Sequence, residues 1–270
     1  MAQWFTDYHM HTACSPDADE LATFNAYIED AELKKHERLV FTDHVDIDSP
    51  AELFKDYPQY EHYKSLLNRL QKKTQVELLM GVEIGYQPHV QKAIEALVKR
   101  HPFDFVIASL HASDKLDYYN TDFFKGKTDQ EATMRYFETV HEMVKSFSDF
   151  DVVGHIDYIT RYYLKDEKKY DFKTFEPILT AILKTIIAKG KGIEINTSGI
   201  RYNLDTFHPT KALLTLYFNL GGKILTLGSD AHKTRDRMRD FEGAKALLKS
   251  VGFSHIAQYK ARHIQFVKLP

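Results

Sequence analysis

The feature that most constrains the fold is a regular alternation of short apolar runs with longer amphipathic segments. Seven runs are rich in β-branched or aromatic residues, as buried parallel strands tend to be: WFTDYHMH, RLVFTDH, VELLMGVEIG, DFVIASLH, DVVGHID, GIEINTSG and KILTLGSDAH. Helix-like stretches such as HVQKAIEALVKR separate them. Seven β–α units predict a parallel barrel or a doubly wound open sheet, and HIQFVKL near the C terminus is a candidate for one further edge strand.

The residues that end the predicted strands decide between these two architectures. Every run finishes in side chains that can ligate a metal or form hydrogen bonds: His9, His11, Asp43, His44, Glu83, His111, His155, Asp157, Asn196, Asp230 and His232. In a closed barrel, the carboxyl ends of all strands meet on one face, where active sites lie. In an open sheet, only the strands beside the switch point need such residues. We therefore predict an α/β barrel, closed or nearly closed, in a single domain over residues 1–270.

Two of these strands indicate a metal site most directly. His9 and His11 are alternate residues of one strand, so both imidazoles point to the same side of it. Glu83 lies in the apolar run LLMGVEIG, where a carboxylate is costly to bury unless it is paired or bound to a metal. A carboxylate that bridges two cations would meet this requirement. The histidines in or beside predicted helices fit surface or structural roles.

Composition narrows the classes of function. The formal net charge is −2, which offers no basic field for a nucleic-acid backbone, so we expect no nucleic-acid partner. The single cysteine, Cys14, excludes an internal disulfide framework and fits a reducing compartment. The chain shows no leader-type segment and no run of about 18 apolar residues. We therefore expect a cytoplasmic protein without a membrane partner, whereas the sequence does not indicate its oligomeric state.

In chain order, the motifs HMHTACSPD, TDH, GVEIG, SLH, GHID and SDAH resemble the successive motifs of the PHP (polymerase and histidinol phosphatase) superfamily. The resemblance runs from the first predicted strand to the seventh. It implies a distorted (β/α)7 TIM-like barrel with a trinuclear metal site at the carboxyl ends of the strands. The length of the chain and the segments TRYY and INTSGIRY resemble the stand-alone histidinol-phosphate phosphatase branch.

The resemblance also implies ligands for three divalent ions, which would be zinc, iron or manganese. The ligands of the first ion would be His9, His11, Glu83 and Asp230. The ligands of the second would be the other oxygen of Glu83, His111 and His155. The ligands of the third would be His44, His232 and an acidic residue after His11, where many relatives have a histidine. Asp17 is our choice for this acidic ligand and Asp19 is the alternative.

Such a cluster suits phosphomonoester hydrolysis, because clustered divalent ions supply hydroxide near neutral pH and neutralise phosphoryl charge. Arg161 and Arg201 follow the fifth and sixth predicted strands, and a guanidinium fits phosphate oxygens. We expect Asn196 and Ser198 to add hydrogen bonds to the substrate. The candidate catalytic residues are Asp43, His44 and His232. Either Asp43 or a metal-bound water would protonate the leaving alkoxide, and Asp157 and His208 are further candidates for orientation or proton transfer.

Three hypotheses for the function follow from this site, and the third is from a different class. The leading hypothesis is a metal-dependent phosphatase that converts the small phosphomonoester L-histidinol phosphate to L-histidinol and phosphate in histidine biosynthesis. The alternative is a PHP-type phosphoesterase or nuclease that acts on a nucleotide or a nucleic-acid end, although the acidic net charge disfavours long polymers. The third is a metal-binding module without turnover, which the complete ligand set disfavours.

Overall fold

The structure is a computed structural model that describes residues 5–162 and 171–269. Its described strands are β1 (Arg38–Phe41), β2 (His44–Val45), β3 (Glu77–Gly85), β4 (Phe105–Ser109), β5 (Ala112–Ser113), β6 (Leu116–Asp117), β7 (Val152–Val153), β8 (Gly192–Asn196), β9 (Leu225–Gly228), β10 (His255–Lys260) and β11 (His263–Lys268). Its described α-helices are α1 (Phe24–Leu33), α2 (Tyr60–Gln71), α3 (Gln91–Arg100), α4 (Asp129–Ser146), α5 (Phe172–Ala188), α6 (Ser198–Arg201), α7 (Lys211–Asn219) and α8 (Phe241–Val251). None of the described helices combines the length and apolar character needed to span a lipid bilayer.

The main sheet is parallel and curls into a barrel. Its hydrogen-bonded order is β1-β3-β4-β7-β8-β9, and β2 pairs with the end of β3. The N-terminal segment, residues 5–11, lies between the two ends of this sheet. Met10 pairs in parallel with Ala231 after β9, and its carbonyl accepts a hydrogen bond from the Thr42 N–H after β1. All seven predicted strands therefore take part in the barrel, which confirms the predicted fold.

Alternation along the strands separates the barrel interior from the helix-covered face. In β3, Leu78, Met80, Val82 and Ile84 belong to the large core beneath the helices, whereas Leu79 belongs to a smaller core inside the barrel. Because successive side chains alternate, Glu83 points to the same interior side as Leu79. The interior is thus apolar near the amino ends of the strands and polar near their carboxyl ends.

The C-terminal hairpin closes the apolar end of the barrel. β10 and β11 pair in antiparallel fashion in a separate two-stranded sheet, so HIQFVKL is an edge strand of this hairpin rather than of the barrel. Tyr259 of β10 joins the interior core with Tyr8 and Phe105. The Tyr8 hydroxyl donates to the Tyr259 carbonyl at 2.8 Å and accepts from the Tyr259 N–H at 2.6 Å. This packing agrees with a single domain over residues 1–270, which stays a prediction.

Candidate active site

A cavity of about 510 Å³ opens at the carboxyl ends of the barrel strands. Its ligand-type lining residues are Asp17, His44, Glu83, His111, Asp117, His155, Asp230 and His232. Its aromatic lining residues are Phe54, Tyr119, Tyr158, Tyr162 and Tyr202. Arg161 and Lys233 supply positive charge. Six of the eleven polar strand-end residues that the sequence pattern identified therefore line one cavity.

The pairing of the first and last barrel strands brings four ligand-type side chains together. Met10 and Ala231 are paired residues, and both are fully buried in the outer core. Alternation then turns the residues on either side of each of them towards the barrel interior. His9 and His11 flank Met10, and Asp230 and His232 flank Ala231. The sequence patterns HMH and DAH are thus matching halves of one site.

The first group of candidate ligands surrounds one carboxylate oxygen. Glu83 Oε2 lies 3.2 Å from His9 Nε2 and 3.5 Å from His11 Nε2. Asp230 Oδ1 lies 3.5 Å from His11 Nε2 and 3.8 Å from His9 Nε2. Ligands of a tetrahedral zinc ion, each about 2.0–2.2 Å from the metal, lie about 3.3–3.6 Å from one another. His9, His11 and Glu83 therefore lie close enough together to share one ion, and Asp230 lies within 3.8 Å of both imidazoles.

The second group surrounds the other oxygen of Glu83. Glu83 Oε1 lies 2.8 Å from His155 Nε2 and 3.4 Å from His111 Nε2, and it accepts a 2.7 Å hydrogen bond from the Ser109 hydroxyl. The Nε2 atom of His111 faces the cavity because Asp46 Oδ1 holds the Nδ1 atom at 2.7 Å. One carboxylate thus lies between two sets of imidazoles, as a bridging ligand would.

The third group lies on the open side of the cavity. Asp17 Oδ2 lies 2.9 Å from His232 Nε2 and 3.7 Å from His44 Nε2. Burial acts to raise the pKa of Asp17, but the neighbouring imidazoles of His44 and His232 hold it well below its usual range. The Asp19 carboxylate instead accepts the Leu21 N–H at 2.9 Å. The geometry therefore favours Asp17 over Asp19 as the acidic member of this group.

The donor set fits divalent cations. Glu83 Oε2 is buried and makes no aligned hydrogen bond to any described residue, although His44 Nδ1, His9 Nε2 and His11 Nε2 lie 3.0–3.5 Å from it. Burial opposes ionisation, but the imidazoles of His9, His44 and His111 keep the pKa of Glu83 well below its usual range. A buried carboxylate oxygen without a partner is costly, and a cation between these groups would satisfy it. Imidazole and carboxylate ligands suit zinc, iron or manganese.

Glu194, which the sequence reasoning did not select, supports this ligand set from behind. Its Oε1 lies 2.7 Å from His9 Nδ1, and its Oε2 accepts the His155 N–H at 2.9 Å. Such contacts fix the ring orientation of metal-binding histidines and tune their affinity. The sequence does contain a signal for Glu194 as a site residue, because Glu194 interrupts the apolar run GIEIN just as Glu83 interrupts LLMGVEIG.

Asp43 is held away from the cavity. Its fully buried carboxylate accepts hydrogen bonds from the Thr12 N–H and hydroxyl, the Ser15 hydroxyl and the Tyr63 hydroxyl, at 2.5–2.9 Å. The Ser15 oxygen in turn lies 3.1 Å from His11 Nδ1. Four donors and full burial fit a side chain that shapes the loop after His11. Its predicted role as the proton donor is not supported by this position.

Asp157 and His208, the other candidates for orientation or proton transfer, form a buried pair. Asp157 Oδ1 lies 2.7 Å from His208 Nδ1, and both side chains are fully buried. Asp157 Oδ2 accepts the Thr210 N–H at 2.9 Å. Neither residue lines the cavity.

The two predicted phosphate-binding arginines have different positions. Arg161 lines the cavity, with its guanidinium carbon 4.4 Å from the ring centre of Tyr158 and 3.7 Å from that of Tyr202. Arg201 does not line it, because its Nη1 and Nη2 atoms donate to the carbonyl oxygens of Ser229 and Asp230 at 2.8 and 2.7 Å. Arg201 is thus placed to hold the chain that carries Asp230.

The fold and the site together define a parallel α/β barrel with a metal-ligand cluster at the carboxyl ends of its strands. The chain matches the PHP domain family over residues 7–198, and it belongs to that family. It is 31% identical over 262 residues to the histidinol-phosphatase of Lactococcus lactis subsp. lactis (strain IL1403), with 96% of this chain and 95% of the relative covered. It is 27% identical to a probable histidinol-phosphatase of Clostridium acetobutylicum, covering 84% of this chain and 86% of the relative.

A solved structure agrees with these relatives. The chain matches the crystal structure of the Lactococcus lactis histidinol phosphate phosphatase complexed with zinc, L-histidinol and phosphate, with a TM-score of 0.87 and 30% identity. The match covers 97% of this chain and 98% of that one. The likeness therefore extends over the C-terminal hairpin as well as the barrel.

Proposed function

We propose that this protein is a metal-dependent histidinol-phosphatase that hydrolyses L-histidinol phosphate to L-histidinol and phosphate in histidine biosynthesis. The observation that carries the proposal is the convergence of metal-ligand side chains and the Arg161 guanidinium on one cavity, with His9 and His11 within 3.5 Å of the cavity residue Glu83. The relatives that cover nearly the whole chain bear the same activity in their names, which supports the choice of substrate.

We propose three divalent ions, which the three ligand groups would hold. Glu83 would bridge the ion of His9, His11 and Asp230 to the ion of His111 and His155, and Asp17 would bind the third ion with His44 and His232. When bound, such ions lower the pKa of water to supply a nucleophile and neutralise charge on the phosphoryl group.

The remaining cavity residues would bind the phosphomonoester and orient it. Arg161 would pair with phosphate oxygens, since a guanidinium is a planar donor that remains protonated. The aromatic side chains on the other walls give the organic part of the substrate an apolar surface and limit access of bulk water. The proton for the leaving alkoxide would come from a water in the cavity, because Asp43 does not reach it.

The test is metal analysis combined with turnover of a panel of phosphomonoesters. We expect purified protein to contain divalent metal and to release phosphate from L-histidinol phosphate with a kcat/KM well above that for a nucleoside monophosphate. Preference for the nucleotide would favour a phosphoesterase of different specificity. Stoichiometric metal without hydrolysis of any phosphomonoester would refute the enzymatic assignment and support a metal-binding module.

A further inference from the structure

A continuous chain of hydrogen bonds connects the candidate metal ligand His9 to the guanidinium of Arg161. Glu194 Oε1 lies 2.7 Å from His9 Nδ1, and Glu194 Oε2 accepts from Asn196 Nδ2 at 3.1 Å. The amide oxygen of Asn196 accepts from the Ser198 N–H at 2.9 Å and from the Ser198 hydroxyl at 2.6 Å. The Ser198 oxygen accepts from Arg161 Nη2 at 2.8 Å.

The chemistry of these groups determines which atom donates and which accepts in each of these hydrogen bonds. Glu194 as a carboxylate only accepts, so Asn196 turns its amino group towards Glu194 and its carbonyl oxygen towards Ser198. The Ser198 hydroxyl then donates its single proton to Asn196. The lone pairs of the Ser198 oxygen face Arg161, which can only donate. Each member has a partner of the opposite kind on either side, and no alternative arrangement satisfies all of them.

The three connecting residues cannot reach a substrate. Glu194 is 1% exposed, Asn196 and Ser198 are 0% exposed, and none of them lines the cavity. The prediction that Asn196 and Ser198 contact the substrate therefore has no support in their positions. Any effect of these two residues on phosphate binding has to pass through Arg161 or through His9.

The hydrogen bonds that lead from His9 to Arg161 restrict the rotation of the Arg161 guanidinium. The guanidinium carbon lies over the rings of Tyr158 and Tyr202, 4.4 and 3.7 Å from their centres. Contact with the ring faces alone does not determine which nitrogen of the guanidinium faces the ligand cluster. The hydrogen bond from Nη2 to Ser198 decides which edge of the guanidinium faces the ligand cluster, where Asp230 Oδ2 lies 3.6 Å from the same nitrogen.

We infer that Ser198 is a positioning residue that orients the Arg161 guanidinium towards the substrate phosphate and contributes to binding only through Arg161. The inference rests on the proposed function, because it requires phosphate at the cavity.

A double-mutant cycle tests the inference, with inorganic phosphate as the probe. Phosphate affinity, as competitive inhibition and by calorimetry, and kcat/KM are measured for the metal-loaded parent, Ser198→Ala, Arg161→Ala and the double variant. We expect Ser198→Ala to weaken phosphate binding by about tenfold, the lower end of the effect of losing a hydrogen bond to a charged group. Arg161→Ala should weaken it further, and adding Ser198→Ala to Arg161→Ala should change nothing more.

Two variants separate this role from a merely structural one. Thr197→Val removes the neighbouring buried hydroxyl, which donates to the Arg239 carbonyl at 2.8 Å, and it should leave phosphate affinity unchanged. Ser198→Cys keeps a side chain of similar size but is a weak acceptor, so it should reproduce the loss seen in Ser198→Ala even if the alanine variant folds poorly. Metal content should match the parent in both Ser198 variants.

Several outcomes would overturn the inference. A further loss of phosphate affinity when Ser198→Ala is added to Arg161→Ala would show that Ser198 acts independently of Arg161. Lowered metal content in Ser198→Ala would show that its effect passes through His9. A parent that hydrolyses L-histidinol phosphate while Ser198→Ala binds phosphate normally would refute the inference alone, whereas a parent that neither binds phosphate nor turns over would refute the proposed function with it.

Discussion

Gly228, the last residue of β9, lies where a side chain would collide with the support of the metal site. A Cβ atom at this position would lie 2.0 Å from Glu194 Oε1 and 2.5 Å from the Cβ of His9. Ordinary van der Waals contact begins near 3.4 Å, so the Glu194 oxygen would have to move by 1.4 Å (3.4 minus 2.0). This displacement would break the 2.7 Å contact between Glu194 and His9 Nδ1.

Gly228→Ala should therefore cost both stability and metal affinity. Overpacking of a well-packed interior costs about 1–3 kcal/mol of the free energy of unfolding. Loss of a carboxylate that orients a ligating histidine lowers metal affinity by about 10–100-fold. The second effect is specific to this end of the barrel, because it depends on Glu194 and His9 rather than on strain in general.

Gly192→Ala is the matched control, since it overpacks the opposite end of the neighbouring strand. Its Cβ atom would lie 2.3 Å from Ile224 Cγ2 and 2.5 Å from the Ile224 carbonyl oxygen. Metal affinity is measured by competition with a chromogenic chelator, and stability by denaturant unfolding of the metal-free proteins. We expect both variants to lose stability and only Gly228→Ala to lose metal affinity. Equal metal affinities, within about twofold, would refute the assignment of Glu194 as the support of His9.

Three further predictions concern single residues. Glu83→Gln should lower bound metal and turnover together, because two ligand groups share this carboxylate, and normal metal content with near-native activity would contradict its bridging role. Arg161→Ala should leave metal content intact and cost about 1.5–3 kcal/mol in kcat/KM, with partial recovery in Arg161→Lys, as steady-state kinetics would show. Burial is the larger cause and the Arg237 guanidinium the second cause that lower the pKa of half-buried His36 from 6.5 to about 4. As the pH falls, the unfolded chain therefore binds a proton at a higher pH than the folded protein does. Relative to His36→Gln, the parent should lose about 1–2 kcal/mol of unfolding free energy between pH 7 and pH 4.5, after allowance for solvent screening, and a pH-independent difference in denaturant titrations would contradict this.

The sequence pattern was sufficient to predict the barrel and the convergence of its polar strand ends. Strand direction and alternation are local properties of the sequence. In a parallel barrel they place the side chains at the carboxyl ends of all strands on one face. His9, His11, Glu83, His111, His155, Asp230 and His232 follow from this rule. The final run HIQFVKL shows the limit of the rule, since its place in a hairpin at the other end of the barrel depends on packing between Tyr259 and Tyr8 rather than on its own pattern.

The orientation of some residues near the ends of strands could not be predicted in the same way. Asp43 and His44 are adjacent, yet His44 lines the cavity and Asp43 supports the loop behind it. Arg161 and Arg201 both follow strand ends, yet only Arg161 reaches the cavity, because two backbone carbonyl groups engage Arg201. Where strand pairing does not continue past the end of a strand, as it does at Ala231, tertiary hydrogen bonds set each side-chain direction.

The geometry of the site depends on strand register more than on any single side chain. His44 of β2 and Glu83 of β3 are direct register partners, and Asn196 of β8 is paired with Gly228 of β9. A slip of one residue would turn the entire polar set of a strand towards the helices and its apolar set towards the cavity. The buried outer face of each strand opposes such a slip, because Val82 and Ile84 on either side of Glu83 are fully buried in the core. The apolar residues between the ligands therefore help to define the metal site, although none of them lines it.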